Sequence, residues 1–283
     1  MLNGCAYILT VDVGNTFIRF GLFAEDSAAA RECPLATCEI TTPSSITADE
    51  ARMRLAQVMG ALAADAGMPG ALVPTAAVLS CVVPALERPW KTALSRTCTG
   101  RVLTVGPGLK TGMPVHYDDP AEIGPDRIAD AVAARAVYGS PCIVIDLGTT
   151  TNIEVIDARG TFVGGVIAPG LALGARSLSA AAARLPQVEP SAPTHVIGRN
   201  TREAMRSGVV LGEVARIDGM LDMVLAEMRA TKAAGEGDVP IVITGDDAEA
   251  LAALVGHSLT VDDALTLRGL AELYRINQKP RRV

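Results

Sequence analysis

Two stretches of this chain carry one pattern in one register: Val11-Asp12-Val13-Gly14-Asn15-Thr16-Phe17 and Ile145-Asp146-Leu147-Gly148-Thr149-Thr150-Thr151. In each, an apolar lead-in reaches an Asp, a Gly follows two residues later and a Thr two beyond that, and a second apolar run begins. The pattern reads as strand, tight turn, strand. The Gly lets backbone come close to a ligand, and the amides and hydroxyls after it can hold an anion. One copy alone is compatible with an ordinary hairpin turn, because Asp and Gly are common turn residues. Two copies about half a chain apart point instead to an internal duplication, with two loops that could grip a polyphosphate from both sides of a cleft.

The rest of the chain repeats the same theme. Residues 7–13 and 19–23 read as hairpin arms and 36–41 as a third strand. A capped amphipathic helix is predicted over 45–60, a buried strand over 76–83, a helix over 84–95 and a strand over 101–105. The second half gives a helix over 125–137, strands over 142–146, 152–157 and 161–167, and an Ala-rich helix over 171–185. A long helical stretch over 201–229, interrupted by Gly208, Gly212 and Gly219, leads to a strand over 239–244 and a last helix over 265–276. The expected fold class is α/β. The Gly-, Pro- and Asp-rich stretch 106–124 marks the boundary, giving expected domains 1–115 and 116–283.

Composition narrows the function classes. At 283 residues and 49% hydrophobic the chain can bury the core of one large or two medium domains, built from aliphatic side chains because aromatics are only 3%. A net charge of −6 argues against nucleic acid as a partner, and the one basic cluster, 279–282, reads as a solvated terminal tail. The most apolar stretch, 71–86, is broken by Pro74 and Pro84 and is short for a membrane span, so no membrane partner is expected. Six scattered cysteines (Cys5, Cys33, Cys38, Cys81, Cys98, Cys142) contain no C-x-x-C pair and read as small hydrophobes of a reducing compartment; the expected location is the cytoplasm.

The ordered motifs resemble the type III pantothenate kinase family along nearly the whole chain. They are Asp12-Val13-Gly14-Asn15-Thr16; Tyr117-Asp118-Asp119-Pro120 leading into Gly124-Pro125-Asp126-Arg127; Asp146-Leu147-Gly148-Thr149; Gly164-Gly165-Val166-Ile167-Ala168-Pro169-Gly170; Asn200-Thr201; and Leu265-Thr266-Leu267-Arg268-Gly269-Leu270. The resemblance implies duplicated ribonuclease H-like, actin-like ATPase domains with the ligand cleft between them. It also implies ATP-dependent phosphorylation of pantothenate to 4′-phosphopantothenate, with magnesium-ATP and potassium or ammonium as cofactors, in a homodimer. The alternatives are a non-catalytic ligand-binding relative of the same fold, or a kinase of another small alcohol or acid.

Residue by residue, the resemblance puts ATP contacts on Asp12, Val13, Gly14, Asn15, Thr16, Phe17, Ile18 and Arg19, and on Thr149. Asp12 would hold hydrated magnesium on the phosphates, and Asp146 a monovalent cation. Substrate contacts fall on Tyr117, Gly124, Pro125, Asp126, Arg127 and Thr201. Asp126 is the expected catalytic base, placed in the first turn of a helix where the dipole favours an ionised carboxylate, with Arg127 offering a guanidinium to phosphate or carboxylate. Taken locally, Pro-Asp at a helix start is also a common cap, and Thr201 could be a plain N-cap. Three departures stand out: Gly148-Thr149-Thr150-Thr151-Asn152 for the usual Gly-Thr-Ala-Thr-Thr, Pro125 for the usual Ala, and Thr244-Gly245-Asp246 for Thr-Gly-Gly. Asp246 is expected to weaken ATP binding through repulsion and lost backbone flexibility.

Overall fold

The structure is a computed structural model that describes residues 6–25, 33–68 and 72–278; Cys5 and the basic cluster 279–282 lie outside them. The chain groups into two compact units, residues 1–139 with 264–283, and residues 140–263. This differs from the division at 115/116 expected from sequence.

In the first unit, β1 (Tyr7–Val13), β2 (Phe17–Ala24) and β3 (Ala36–Thr41) form an antiparallel meander, and β4 (Ala76–Cys81) and β5 (Val102–Thr104) add parallel to β1, in the order β3-β2-β1-β4-β5. Helices α1 (Ala48–Asp65) and α2 (Pro84–Thr97) cover one face, where Leu55, Leu62, Leu86 and Trp90 pack on Val11, Ile18, Phe20 and Leu79. The start of α1 is fixed by the Thr47/Glu50 capping box that its sequence suggests, with Thr47 Oγ1 accepting from the Glu50 amide at 3.2 Å and the Thr47 amide donating to Glu50 Oε2 at 2.8 Å. Trp90 and Phe20 pack with ring centroids 5.7 Å apart in this largely aliphatic core.

On β1, Leu9, Val11 and Val13 face α1 and α2, so alternation sends Ile8, Thr10 and Asp12 to the other face. There α3 (Pro125–Tyr138) packs on α8 (Leu265–Asn277), and α8 packs on β1 and β4. That packing draws both α3 and the C-terminal helix into the first unit, and it places Asp12 on the same face of the sheet as the helix bearing Asp126.

The second unit repeats the topology. Its strands are β6 (Cys142–Leu147), β7 (Thr150–Ile156), β8 (Phe162–Pro169), β9 (Ile241–Gly245) and β10 (Thr260–Val261). They run in the order β10-β9-β6-β7-β8, with β6, β7 and β8 antiparallel and β9 and β10 parallel to β6. Taken from its β8 end, this is the first sheet's order strand for strand, the ribonuclease H-like arrangement, and the duplication in sequence is a duplication in structure. Its core joins Ile143, Ile145 and Ile153 to Ile217, Leu221 and Leu225 of α6 (Gly212–Ala230). Helices α4 (Leu171–Ala181), α5 (Thr201–Arg206) and α7 (Ala248–Ala252) complete the unit.

The expected long helical stretch is resolved into α5, a π-turn over Ser207–Leu211, and α6. Ser207, buried at the start of that turn, donates its hydroxyl to the Val196 carbonyl at 2.5 Å. Among the described residues no helix is long and apolar enough to cross a membrane, and no cysteine is joined in a disulfide.

Candidate active site

Asp12 is the penultimate residue of β1. It lies opposite Arg19 on β2 and opposite Ser80 on the parallel neighbour β4. The carboxyl is buried, its Oδ1 is without a hydrogen-bond partner, and the Ser80 hydroxyl lies close enough to favour its ionised form. Burial pushes its pKa up to about 6, helped by the nearby Asp126 carboxylate and opposed by Ser80 and Arg19. An orphaned, buried carboxylate oxygen at a strand end suits a cation with its own water shell, because magnesium characteristically takes one or two carboxylates and completes its octahedron with water and substrate phosphate.

The turn after Asp12 is closed by the Gly14 amide donating to the Phe17 carbonyl at 3.0 Å, so in this conformation that amide is not a donor for phosphate. Asn15 and Thr16 stand exposed at the tip, Phe17 and Arg19 are half-buried, and Val13 and Ile18 are buried in the sheet. A residue that sequence reasoning missed pins this turn: Thr42 donates its hydroxyl to the Gly14 carbonyl at 2.8 Å and its amide to the Thr16 carbonyl at 2.9 Å. The available signal was its position directly after β3, which pairs with the hairpin.

Asp126 occupies the first turn of α3, after Gly124 at the N-cap position and Pro125. Its Oδ1 accepts from the Arg127 amide at 2.8 Å, and a Cβ at residue 124 would overlap that same oxygen, so glycine is required for the carboxyl to fold back over the helix start. Burial raises the Asp126 pKa, against the Arg127 amide and guanidinium. Arg127 is buried and Tyr117 half-buried. Beside them a pocket of about 400 Å³ is lined by Cys81, Gly106, Met113, Ile123, Pro125 and Ile128, among others. The structure therefore brings Asp12, Asp126 and Arg127 into one locale of the first unit, with two carboxyls that each resist ionisation. Such a pair suits a metal anchor and a general base poised towards neutral pH.

In the second unit Asp146 is the counterpart of Asp12. It is penultimate on β6, opposite Asn152 on β7 and opposite Thr244 on the parallel β9. Gly245, with φ +92°, lies against it: a Cβ there would sit 2.8 Å from Asp146 Oδ1 and overlap the Leu147 carbonyl. Only glycine therefore fits this close approach of the turn to the end of β6, where the Leu147 carbonyl also accepts from the Asp246 amide at 2.6 Å. Thr149 stands in the β6–β7 turn, its carbonyl accepting from the Gly170 amide at 3.1 Å.

Thr201 is exposed at the first position of α5, and the cap is Asn200, which accepts from the Glu203 amide at 3.0 Å; Thr201 is therefore not the N-cap. The left-handed residues of the β9–α7 turn are Gly245 and Asp247, so Asp246 carries no left-handed backbone strain.

The family model described as type III pantothenate kinase matches residues 8–223. The chain is 37% identical over 275 residues to a type III pantothenate kinase from Koribacter versatilis, covering 96% of each chain. It is 40% identical over 279 residues to one from Nocardia farcinica, covering 97% of this chain and 99% of the relative. Among solved structures, a Campylobacter jejuni protein assigned to the Baf transcriptional-activator family aligns over 95% of this chain and 98% of its own with a TM-score of 0.56 at 18% identity, a likeness of fold. A match over most of the chain and full-length relatives at these identities place the chain in the type III pantothenate kinase family.

Proposed function

We propose that this chain transfers the γ-phosphoryl group of ATP to the primary hydroxyl of pantothenate, giving 4′-phosphopantothenate, the first step towards coenzyme A. The observation that carries the reading is the pairing of the Asp12 and Asp126 carboxyls in one locale of a chain of this family. Asp126 orients the hydroxyl and accepts its proton as the bond to phosphorus forms. Arg127 and Tyr117 hold the substrate, and the pocket reaching Pro125 has the size and apolar lining of a small-molecule site. Asp12 holds magnesium through water. Residues 13–19 and Thr149 contact the nucleotide, while Gly124, Pro125 and Thr201 contact pantothenate. Magnesium, when bound, neutralises charge on the phosphates. Both substrates are small soluble metabolites, in keeping with a cytoplasmic enzyme. The direct test is a phosphoryl-transfer assay with ATP, magnesium and potassium over a panel of small alcohols and acids. Phosphopantothenate is the expected product, and phosphorylation of another panel member without it refutes the reading.

Asp146, at the strand-end position that matches Asp12, is read as holding potassium or ammonium, which lowers repulsion between nucleotide and acidic site. Turnover is expected to be higher in potassium or ammonium buffer than in sodium; equal rates would remove this role.

A homodimer is the expected working unit. Ala204, Gly208, Gly212 and Ala215 are exposed along α5, the π-turn and α6, and a Cβ added at Gly208, Gly212 or Gly219 meets nothing within 4 Å. Packing within the chain therefore does not account for this smooth face, and close approach of a second copy does. Light scattering is expected to give about twice 29.3 kDa. An active monomer would oppose it.

A further inference from the structure

The turn that carries Thr149 is held from behind by a charged pair. Its exit strand β7 and the edge strand β8 meet in the register Thr150↔Pro169 and Thr151↔Ala168. Pro169 has no N–H, so the ladder lacks a donor at the end where the turn emerges.

Side chains of α6 make up the difference. Glu213, only 4% exposed, accepts from Thr151 Oγ1 at 2.6 Å and is ion-paired through its other oxygen to Arg216. Arg216 in turn donates to the Pro169 carbonyl at 2.6 Å. Next along the chain, Gly170 donates its amide to the Thr149 carbonyl at 3.1 Å. One path of hydrogen bonds therefore runs from α6 through β7 and β8 to the Gly148–Thr149 turn. A buried carboxylate is costly unless it is paired and hydrogen-bonded, and here the pairing ties β7, which leaves the turn, to the end of β8, whose next residue Gly170 bonds the turn.

We propose that Glu213 and Arg216 are positioning residues for nucleotide binding, setting the Gly148–Thr149 turn for the phosphates of magnesium-ATP without touching them. The inference rests on the kinase reading above, in which Thr149 contacts ATP. It reaches further by assigning α6, the helix whose exposed side carries Gly212 and Ala215, a part in setting nucleotide affinity.

The test uses two variants of the full chain, Arg216→Ala at a one-third-exposed position and the near-isosteric Glu213→Gln, which keeps an acceptor for Thr151. Binding of a non-hydrolysable ATP analogue with magnesium is measured by calorimetry, and KM for ATP and for pantothenate by assay. Both Kd for the analogue and KM for ATP are expected to rise by about tenfold, as a small misplacement of a binding group produces. KM for pantothenate is expected to stay within about twofold, and Arg216→Lys, which keeps a donor for Pro169, to recover part of the loss. A purely structural role would lower the melting temperature and leave analogue affinity at the parental value, which overturns the proposal. If the unaltered protein binds the analogue but phosphorylates nothing, the kinase reading fails while analogue affinity in the variants still decides the clamp. If it binds no nucleotide, both fall.

Discussion

Asp126→Asn is expected to lower turnover by about 10²-fold or more while leaving the fold intact, because the role proposed for Asp126 is that of a general base, a contribution in the range of about 10² to 10⁴. The amide is nearly the shape of the carboxyl. Asn Oδ1 can still accept from the Arg127 amide, which Asp126 meets at 2.8 Å, so the first turn of α3 keeps its local hydrogen bond. The cost of burying a charge, which holds the Asp126 pKa above the usual carboxylate value, is absent in the neutral variant, so the variant is not expected to be less stable.

The pH profile gives a second readout. The ionised form accepts the proton, so the parent's kcat/KM should rise with pH through an acid limb above the ordinary aspartate range. In Asp126→Asn the part of that limb belonging to Asp126 should vanish. Steady-state kinetics from pH 4.5 to 8, with circular dichroism on each protein, is the measurement. Near-parental turnover in the variant would remove Asp126 from the base role.

The sequence made the duplication legible because each level of signal agreed: apolar alternation for the strands, Asp-x-Gly-x-Thr for the turns, and Ser or Thr with Glu for the α1 cap. Asp12 and Asp146 could be found as a pair because turn chemistry is local. What it left hidden is non-local. The role of Ser80 appears only once β4 pairs parallel with β1 at Asp12, and Thr42, Glu213 and Arg216 act on turns far from them in sequence.

The return of α8 to the first unit is a packing choice made against α3, which no window of residues encodes. The π-turn over Ser207–Leu211 differs from α-helix by one hydrogen-bond step, and propensity does not separate the two. With five residues and two, α7 and β10 are shorter than the periods by which such elements are recognised.

Asp12→Asn should move activity and stability in opposite directions. Unfolded, the Asp12 carboxyl releases its proton near 3.8; in the folded protein it holds it to about pH 6. Between those values the native state binds the proton more tightly, so its stability falls as pH rises, and above pH 6 the full cost of a buried charge is present. From 3.8 to about 6 that cost is roughly 3 kcal/mol at 1.36 kcal/mol per decade.

Asn carries no charge to bury, and its amide can still hydrogen-bond the neighbouring Ser80 hydroxyl. The ligand-free variant should therefore melt several degrees above the parent at pH 8, with the gain shrinking between pH 6 and 4 and absent below. Magnesium-ATP should reverse the order, since the cation compensates the carboxylate in the parent and finds only an amide in the variant. Turnover should fall by about 10- to 100-fold as metal affinity is lost. Thermal melts of both proteins across pH, with and without magnesium-ATP, would decide it. A variant less stable than the parent at pH 8 without ligand would show that Asp12 stabilises the fold, and would overturn its assignment as a carboxylate kept at a structural cost for the metal.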